Sequence, residues 1–306
     1  MHTTLNQSRV KMVLAAAALI TLSVVAGNTY TTAQARAASP GTNARAAGED
    51  GYTERKMVMN TSQASSAVAA SAQDEPRDES HQTFQLAGGA RVEVLNVSGQ
   101  LEIETTAGGP AEVRVIRTAR DAADLKYHRV TVEQTPTGLL VRGLEDRAAY
   151  KRGRQVQQLV KLKLPRTVSL SIEGVGGSVT VGEVDGEIKA ERVGGSLEVG
   201  AVGGSLEVTR LGGHLRAGVL GLGERGIRIS GVGGHVELHF RNELNADLEA
   251  TSISGRLEAE LPNVSMLEPE GSARTRARVG AGGTPLSINK VNGHVRLTQD
   301  SRPSGQ

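Results

Sequence analysis

The chain has 306 residues, 35 Lys and Arg against 33 Asp and Glu, and neither Cys nor Trp. Without Cys it can form no disulfide framework and carry no lipid-modified cysteine. An aromatic share of 2% leaves few flat rings for a sugar-cleaving site to hold its substrate.

Residues 1–35 have the layout of a secretory signal peptide. Arg9 and Lys11 precede an almost wholly apolar run over 12–27, and small-residue cleavage sites follow at Ala33-Gln34-Ala35 or Ala35-Arg36-Ala37. The apolar run is shorter than the roughly 20 residues of a membrane span, so cleavage is expected. An uncleaved segment would instead anchor the chain to a membrane. Removing 1–35 takes away Arg9 and Lys11 and no carboxylate, which leaves 33 basic residues against 33 acidic ones. The sequence pI of 9.0 is then no footprint of a nucleic-acid partner.

Residues 36–82 are rich in Ala, Ser, Thr and Gln, with an acidic cluster around Asp74, Glu75, Asp78 and Glu79. They offer too little apolar surface to offset chain entropy, and are expected to be a disordered linker.

A β domain is expected over 83–299. Val92, Val94, Val97, Leu101 and Ile103 surround Ser98-Gly99 as an early copy of a repeated unit. Strands are read around Val113 and Val115, around Val130 and Val132, over 139–141, and over 156–164 up to Pro165. Residues 134–138 form a turn, and 121–126 a single helical turn. Tyr150-Lys151-Arg152-Gly153-Arg154 is read as a solvated loop, and Lys161 and Lys163 as the polar face of a strand.

Residues 175–219 organise the rest. An apolar residue opens each nine-residue unit at Val175, Val184, Val193, Val202 and Leu211. In the third unit Val193 is followed by Gly194 and Gly195, Ser196, then Leu197, Glu198 and Val199. Period-two alternation puts Leu197 and Val199 on one strand face and Glu198 on the other. The Gly pairs are read as suppliers of positive φ, and Asp185-Gly186 as a tight turn. In a straight strand Val202 would point away from Leu197 and Val199, so a bend between Val199 and Val202 must turn it inward. This phase favours a β-solenoid, a β-helix-like repeat of short strands with Gly-rich turns and coils of about 18 or 27 residues. An antiparallel meander or a sandwich is the alternative.

After Leu211 the repeat loosens. Further copies begin at Val232, Ile253 and Val291, and 291–297 is read as the last strand, closing the exposed end before a tail over 300–306.

Leu162-Lys163-Leu164-Pro165-Arg166, followed by apolar alternation and serial Val-x-Gly-x-apolar-x-apolar units, resembles the bacterial "putative adhesin" β-strand-repeat domain. The likeness spans roughly 84–298. It implies export, a β-helix-like fold and a domain of unknown function, and it brings no catalytic residues.

Three constellations invite chemistry. Gly221-Leu222-Gly223-Glu224-Arg225-Gly226 matches GxGxxG, but the Ile227-Arg228-Ile229 that follows reads as a strand where a dinucleotide site needs a helix. The GGSLEV units lack the Asp of calcium-binding nonapeptides, and one outward Glu per unit, such as Glu198 or Glu207, is a thin ligand supply. His214, His235 and His294 share one position in their units, and 235–239 puts His235, Glu237 and His239 on one strand. They are read as exposed histidines, because zinc needs converging ligands. Glycan cleavage needs paired carboxylates, whereas those here are spread singly, and Tyr52, Tyr127, Tyr150, Phe84 and Phe240 are the only aromatic residues after the leader. The expectation is a non-enzymatic exported protein, periplasmic or extracellular. It would serve as a structural or adhesin-like module for an envelope or surface protein or polymer, with no catalytic, cofactor or metal site and no nucleic-acid partner. Self-assembly into an envelope scaffold is the alternative, and a polysaccharide-active β-helix enzyme the more distant one.

Overall fold

The computed structural model describes residues 76–146, 156–267 and 274–300. The expected leader, most of the linker, the basic loop at 150–154 and residues 301–306 lie outside these. The described part is all-β apart from one 3-10 turn, Ala122–Tyr127, which Asp121 caps by accepting from the Ala123 N–H. Its strands form two mixed sheets, of ten and eleven strands, and neither closes into a barrel. One apolar core fills the space between them, so the expected sandwich alternative fits.

The repeat strands alternate between the sheets. Val179–Val184, Leu197–Val202 and Leu215–Val219 lie in the first sheet; Ser169–Val175, Ile188–Val193 and Leu206–Leu211 lie in the second. Each pairs in parallel with the strand two further on. Ile188 sits beside Leu206 and Leu197 beside Leu215, an advance of 18 residues. Leu197, Val199 and Val202 are all buried, and the pairing register shifts between Val199 and Val202. The bend expected from the apolar phase is there.

The corner glycines do a different job from the one expected. None of Gly176, Gly177, Gly194, Gly195, Gly212 and Gly213 has positive φ. They are needed because stacked corners approach too closely for a side chain: a Cβ on Gly194 would lie 2.4 Å from the Gly176 carbonyl oxygen. That approach lets the Gly194 N–H donate to the Val175 carbonyl and the Gly212 N–H to the Val193 carbonyl, both at 2.8 Å, so the ladder runs on through the corner. The left-handed residues stand one place before the apolar openers of the second sheet, at Asn96, Gly174, Arg192, Arg210, Gly231, Ser252 and Lys290.

Both ends depart from the expected domain plan. Ordered structure begins before residue 83, since Arg77–Phe84 is an antiparallel edge strand on Ala111–Ala119. Val295–Gln299 does not close an end. It pairs with Val236–Phe240 on one side and Leu257–Glu260 on the other, while Thr284–Val291 separates Ile227–Val232 from Ala246–Ile253 in the second sheet. The chain runs past this place, makes the 246–279 strands, and returns to fill it.

Candidate interaction surface

In-register parallel stacking places equivalent residues of neighbouring turns side by side, about 4.8 Å apart. The residue after each glycine pair therefore becomes a column. Ser178 Oγ accepts from the Ser196 N–H at 3.2 Å, and Ser196 Oγ from the His214 N–H at 3.1 Å. His214 Nδ1 accepts from the His235 N–H at 2.9 Å, His235 Nδ1 from the His294 N–H at 2.9 Å, and His294 Nδ1 from the Arg256 N–H at 3.0 Å. The three rings stack, with centroids 5.0 and 5.2 Å apart and planes 10° and 5° from parallel.

The histidines are exposed, as expected, but they are ordered by one another. An Nδ1 that accepts a backbone N–H leaves the neutral ring its proton on Nε2. The column thus presents N–H groups outward and offers no Nε2 lone pair to a metal. Glu237 and His239 are engaged elsewhere, Glu237 with Arg216 at 2.9 Å and His239 with Asp300 at 2.9 Å. Among the described residues no group of His, Asp and Glu is arranged to hold a metal ion.

The outer face of the first sheet carries charge in pairs across strands. Lys161 meets Glu102 at 2.6 Å, Lys163 meets Glu112 at 3.3 Å, and Arg296 meets Glu260 at 2.9 Å. Lys161 and Lys163 thus stand where the alternation put them, each matched by a carboxylate. Near the N-terminal edge the hydrogen bond from Arg114, helped by its charge and by Arg77, holds the Glu79 carboxyl below its ordinary range. Lys163 does the same for Glu112, with a smaller contribution from His81.

On the second sheet a shallow groove of about 110 Å³ crosses the strands. Its floor is short side chains, Ser169, Ser171 and Ser205, and its walls are Arg91, Lys189, Arg225 and Arg228. Arg225 pairs with Glu187 at 3.1 Å and Arg91 with Glu93 at 2.8 Å, while Lys189 stands 3.8 Å from Glu207. This groove is barely visible in the sequence. Its only signal is a serine where neighbouring units carry a charge.

The other motifs resolve plainly. Residues 221–226 form the corner between Leu215–Val219 and Ile227–Val232, with Gly223 and Gly226 at positive φ and a strand after them. They account for a longer advance there, since Leu206 pairs with Ile227. Glu198 and Glu207 lie on opposite sheets, so they cannot share an ion. Among the described residues no helix is long and apolar enough to cross a membrane.

No protein-family model matches the chain, and no curated protein matches it. Solved structures do. A "putative cell adhesion protein" from Clostridium sporogenes is 10% identical, with a TM-score of 0.40, covering 74% of this chain and all of that one. A "putative adhesin" from Bacteroides fragilis is 12% identical, with a TM-score of 0.35, covering 72% of this chain and 97% of that one. A "putative lipid binding protein" from Parabacteroides distasonis is 11% identical, with a TM-score of 0.22, covering 71% and 96%. The chain resembles adhesin-like bacterial domains. No residue role transfers at these identities.

Proposed function

We propose that this protein is a non-enzymatic, exported interaction module of the bacterial cell envelope, built on a two-sided β-solenoid with 18-residue coils. The carrying observation is that one residue per coil falls on the same face at a fixed interval, as in the column Ser178, Ser196, His214, His235 and His294. Such a surface offers repeated contacts to an extended partner instead of a pocket that encloses a small substrate. The leader-like residues 1–35 support export to the periplasm or the cell exterior.

Cell fractionation with N-terminal sequencing tests the reading. The expected result is a chain starting after Ala35 or Ala37 in the periplasm or the medium. A cytosolic chain that keeps residues 1–35, or turnover of a glycan or peptide by the purified protein, would overturn it. A second reading, self-assembly into a scaffold, is favoured by the edge strand Leu257–Glu260, which among the described residues pairs only with Val295–Gln299. An exposed edge can template pairing with another copy. A mass that does not change with concentration would exclude it.

A further inference from the structure

We infer that the serine-floored groove on the second sheet binds a linear acidic polysaccharide. The inference rests on the envelope reading above and names the class of partner.

Against the paired charges of the first sheet, and beside the paired Arg91 and Arg225, the groove stands out by two further cations. Arg228 is exposed and makes no hydrogen bond or ion pair among the described residues, and Lys189 has only its loose 3.8 Å approach to Glu207. Ser171, Lys189, Glu207 and Arg228 lie side by side on four successive strands. On the strand before Ser171 in the same sheet its neighbour is Glu93, and Arg91, which pairs with Glu93, is level with Ser169. Lys189 and Arg228 therefore lie two strands apart in one row, about 10 Å at ordinary strand spacing, and Arg91 lies two strands from Lys189 but two residues out of that row. Glu207 stands between Lys189 and Arg228, Ser169 and Ser171 lie on the strand between Arg91 and Lys189, and Ser205 comes just before the strand that carries Glu207. A ligand lying across the strands would meet the Ser171 hydroxyl, then Lys189, then the Glu207 carboxylate, then Arg228.

The same groove contains Glu187 and Glu207. Carboxylates accept hydrogen bonds and repel anions. A polymer that bears only charge would be repelled by them, whereas a sugar chain brings hydroxyl donors to satisfy them. Membrane insertion is disfavoured, because the large exposed apolar side chains, Leu144, Met266 and Leu267, are not among those lining the groove. Charge spacing and hydroxyl content together select an acidic glycan over an acidic peptide or a lipid surface.

The test uses the full exported chain in affinity electrophoresis and calorimetry with polygalacturonate, with its carboxyl-reduced polymer, polyglutamate and phosphatidylglycerol vesicles as comparisons. Polygalacturonate is expected to bind, more weakly as salt rises. Arg228→Gln is expected to weaken binding about tenfold or more, in keeping with loss of a charge-assisted hydrogen bond. Lys189→Gln should act in the same direction, while Arg216→Gln on the first sheet should leave binding unchanged. The three substituted side chains are exposed, and equal thermal midpoints would show the fold intact. Binding unaffected by Arg228→Gln and Lys189→Gln would overturn the inference, as would no binding to polygalacturonate or a preference for polyglutamate or vesicles. An exported, non-enzymatic chain that ignores polygalacturonate would sink the groove and spare the envelope reading. Depolymerisation of the polymer would sink that reading instead.

Discussion

The backbone N–H of His235 donates to His214 Nδ1 at 2.9 Å, and the two imidazoles lie 5.0 Å apart and 10° from parallel. One side chain thus does for its neighbouring coil what Ser196 Oγ does for His214. The two residue types share a position because each supplies an acceptor at the same distance from the corner.

His235→Ala removes the acceptor for the His294 N–H and the middle ring of the stack. The expected loss is about 1 kcal/mol, the usual net value of one hydrogen bond. His235→Ser keeps an acceptor and should lose less. Urea denaturation of the two variants checks this, and identical midpoints would show that the acceptor contributes nothing.

Gly194→Ala and Arg192→Gly should behave oppositely to what backbone angles at glycine usually suggest. At Gly194 φ is not positive, yet a Cβ would lie 2.4 Å from the Gly176 oxygen, so Ala must push two corners apart. Overpacking of this kind costs about 1–3 kcal/mol. Arg192 has φ 55° and pairs with Glu173 and Glu191. Replacing it by Gly relieves the left-handed backbone but gives up exposed ion pairs and raises unfolded-chain entropy, so the net change should stay within about 1 kcal/mol. Equal losses in chemical denaturation would contradict this account of the corner.

Leu286 is fully buried, beside Ile227 on one strand and Leu248 on the other. Leu286→Ala should cost about 2–5 kcal/mol. Leu257, half-buried on the edge strand, should cost less. Hydrogen exchange would show the order directly: with Leu286→Ala, both Ile227–Val232 and Ala246–Ile253 should lose protection. Loss confined to one of them would mean that the returning strand does not bridge the two.

Much of this was legible in the sequence because it is periodic. The shared apolar phase of Leu197, Val199 and Val202 demanded a bend, and the structure has one. The glycine pairs are visible in the sequence but the reason for them is not, since a conformational need and a spacing need select the same residue. The left-handed corners were hidden because Arg192 and Arg210 do not look like turn residues. The insertion of 284–299 was not legible, because Leu286 pairs with residues 59 and 38 positions earlier and no local pattern encodes that choice. The histidine column was half visible: His214, His235 and His294 shared a unit position, but their contact depended on which turns are neighbours.

Acid should loosen the N-terminal edge before the core. Glu79 and Glu112 both have carboxyls held below their ordinary value of 4.5, Glu79 chiefly by Arg114 and Glu112 chiefly by Lys163. A lowered folded value means that the folded state favours the ionised form. This stabilisation is complete above pH 4.5 and is lost as pH falls through the lower folded values. Glu79 lies on Arg77–Phe84, whose only strand partner among the described residues is Ala111–Ala119, where Glu112 and Arg114 sit. Hydrogen exchange, corrected for its intrinsic pH dependence, should therefore show 77–84 losing protection between pH 6 and pH 3 while Leu197–Val202 keeps it. Arg114→Gln should weaken the edge at pH 6 and flatten the acid step. The contacts are exposed, so 1 M salt should reduce the difference between the two pH values. An edge equally protected at both pH values would show that these ion pairs do not hold the strand in place.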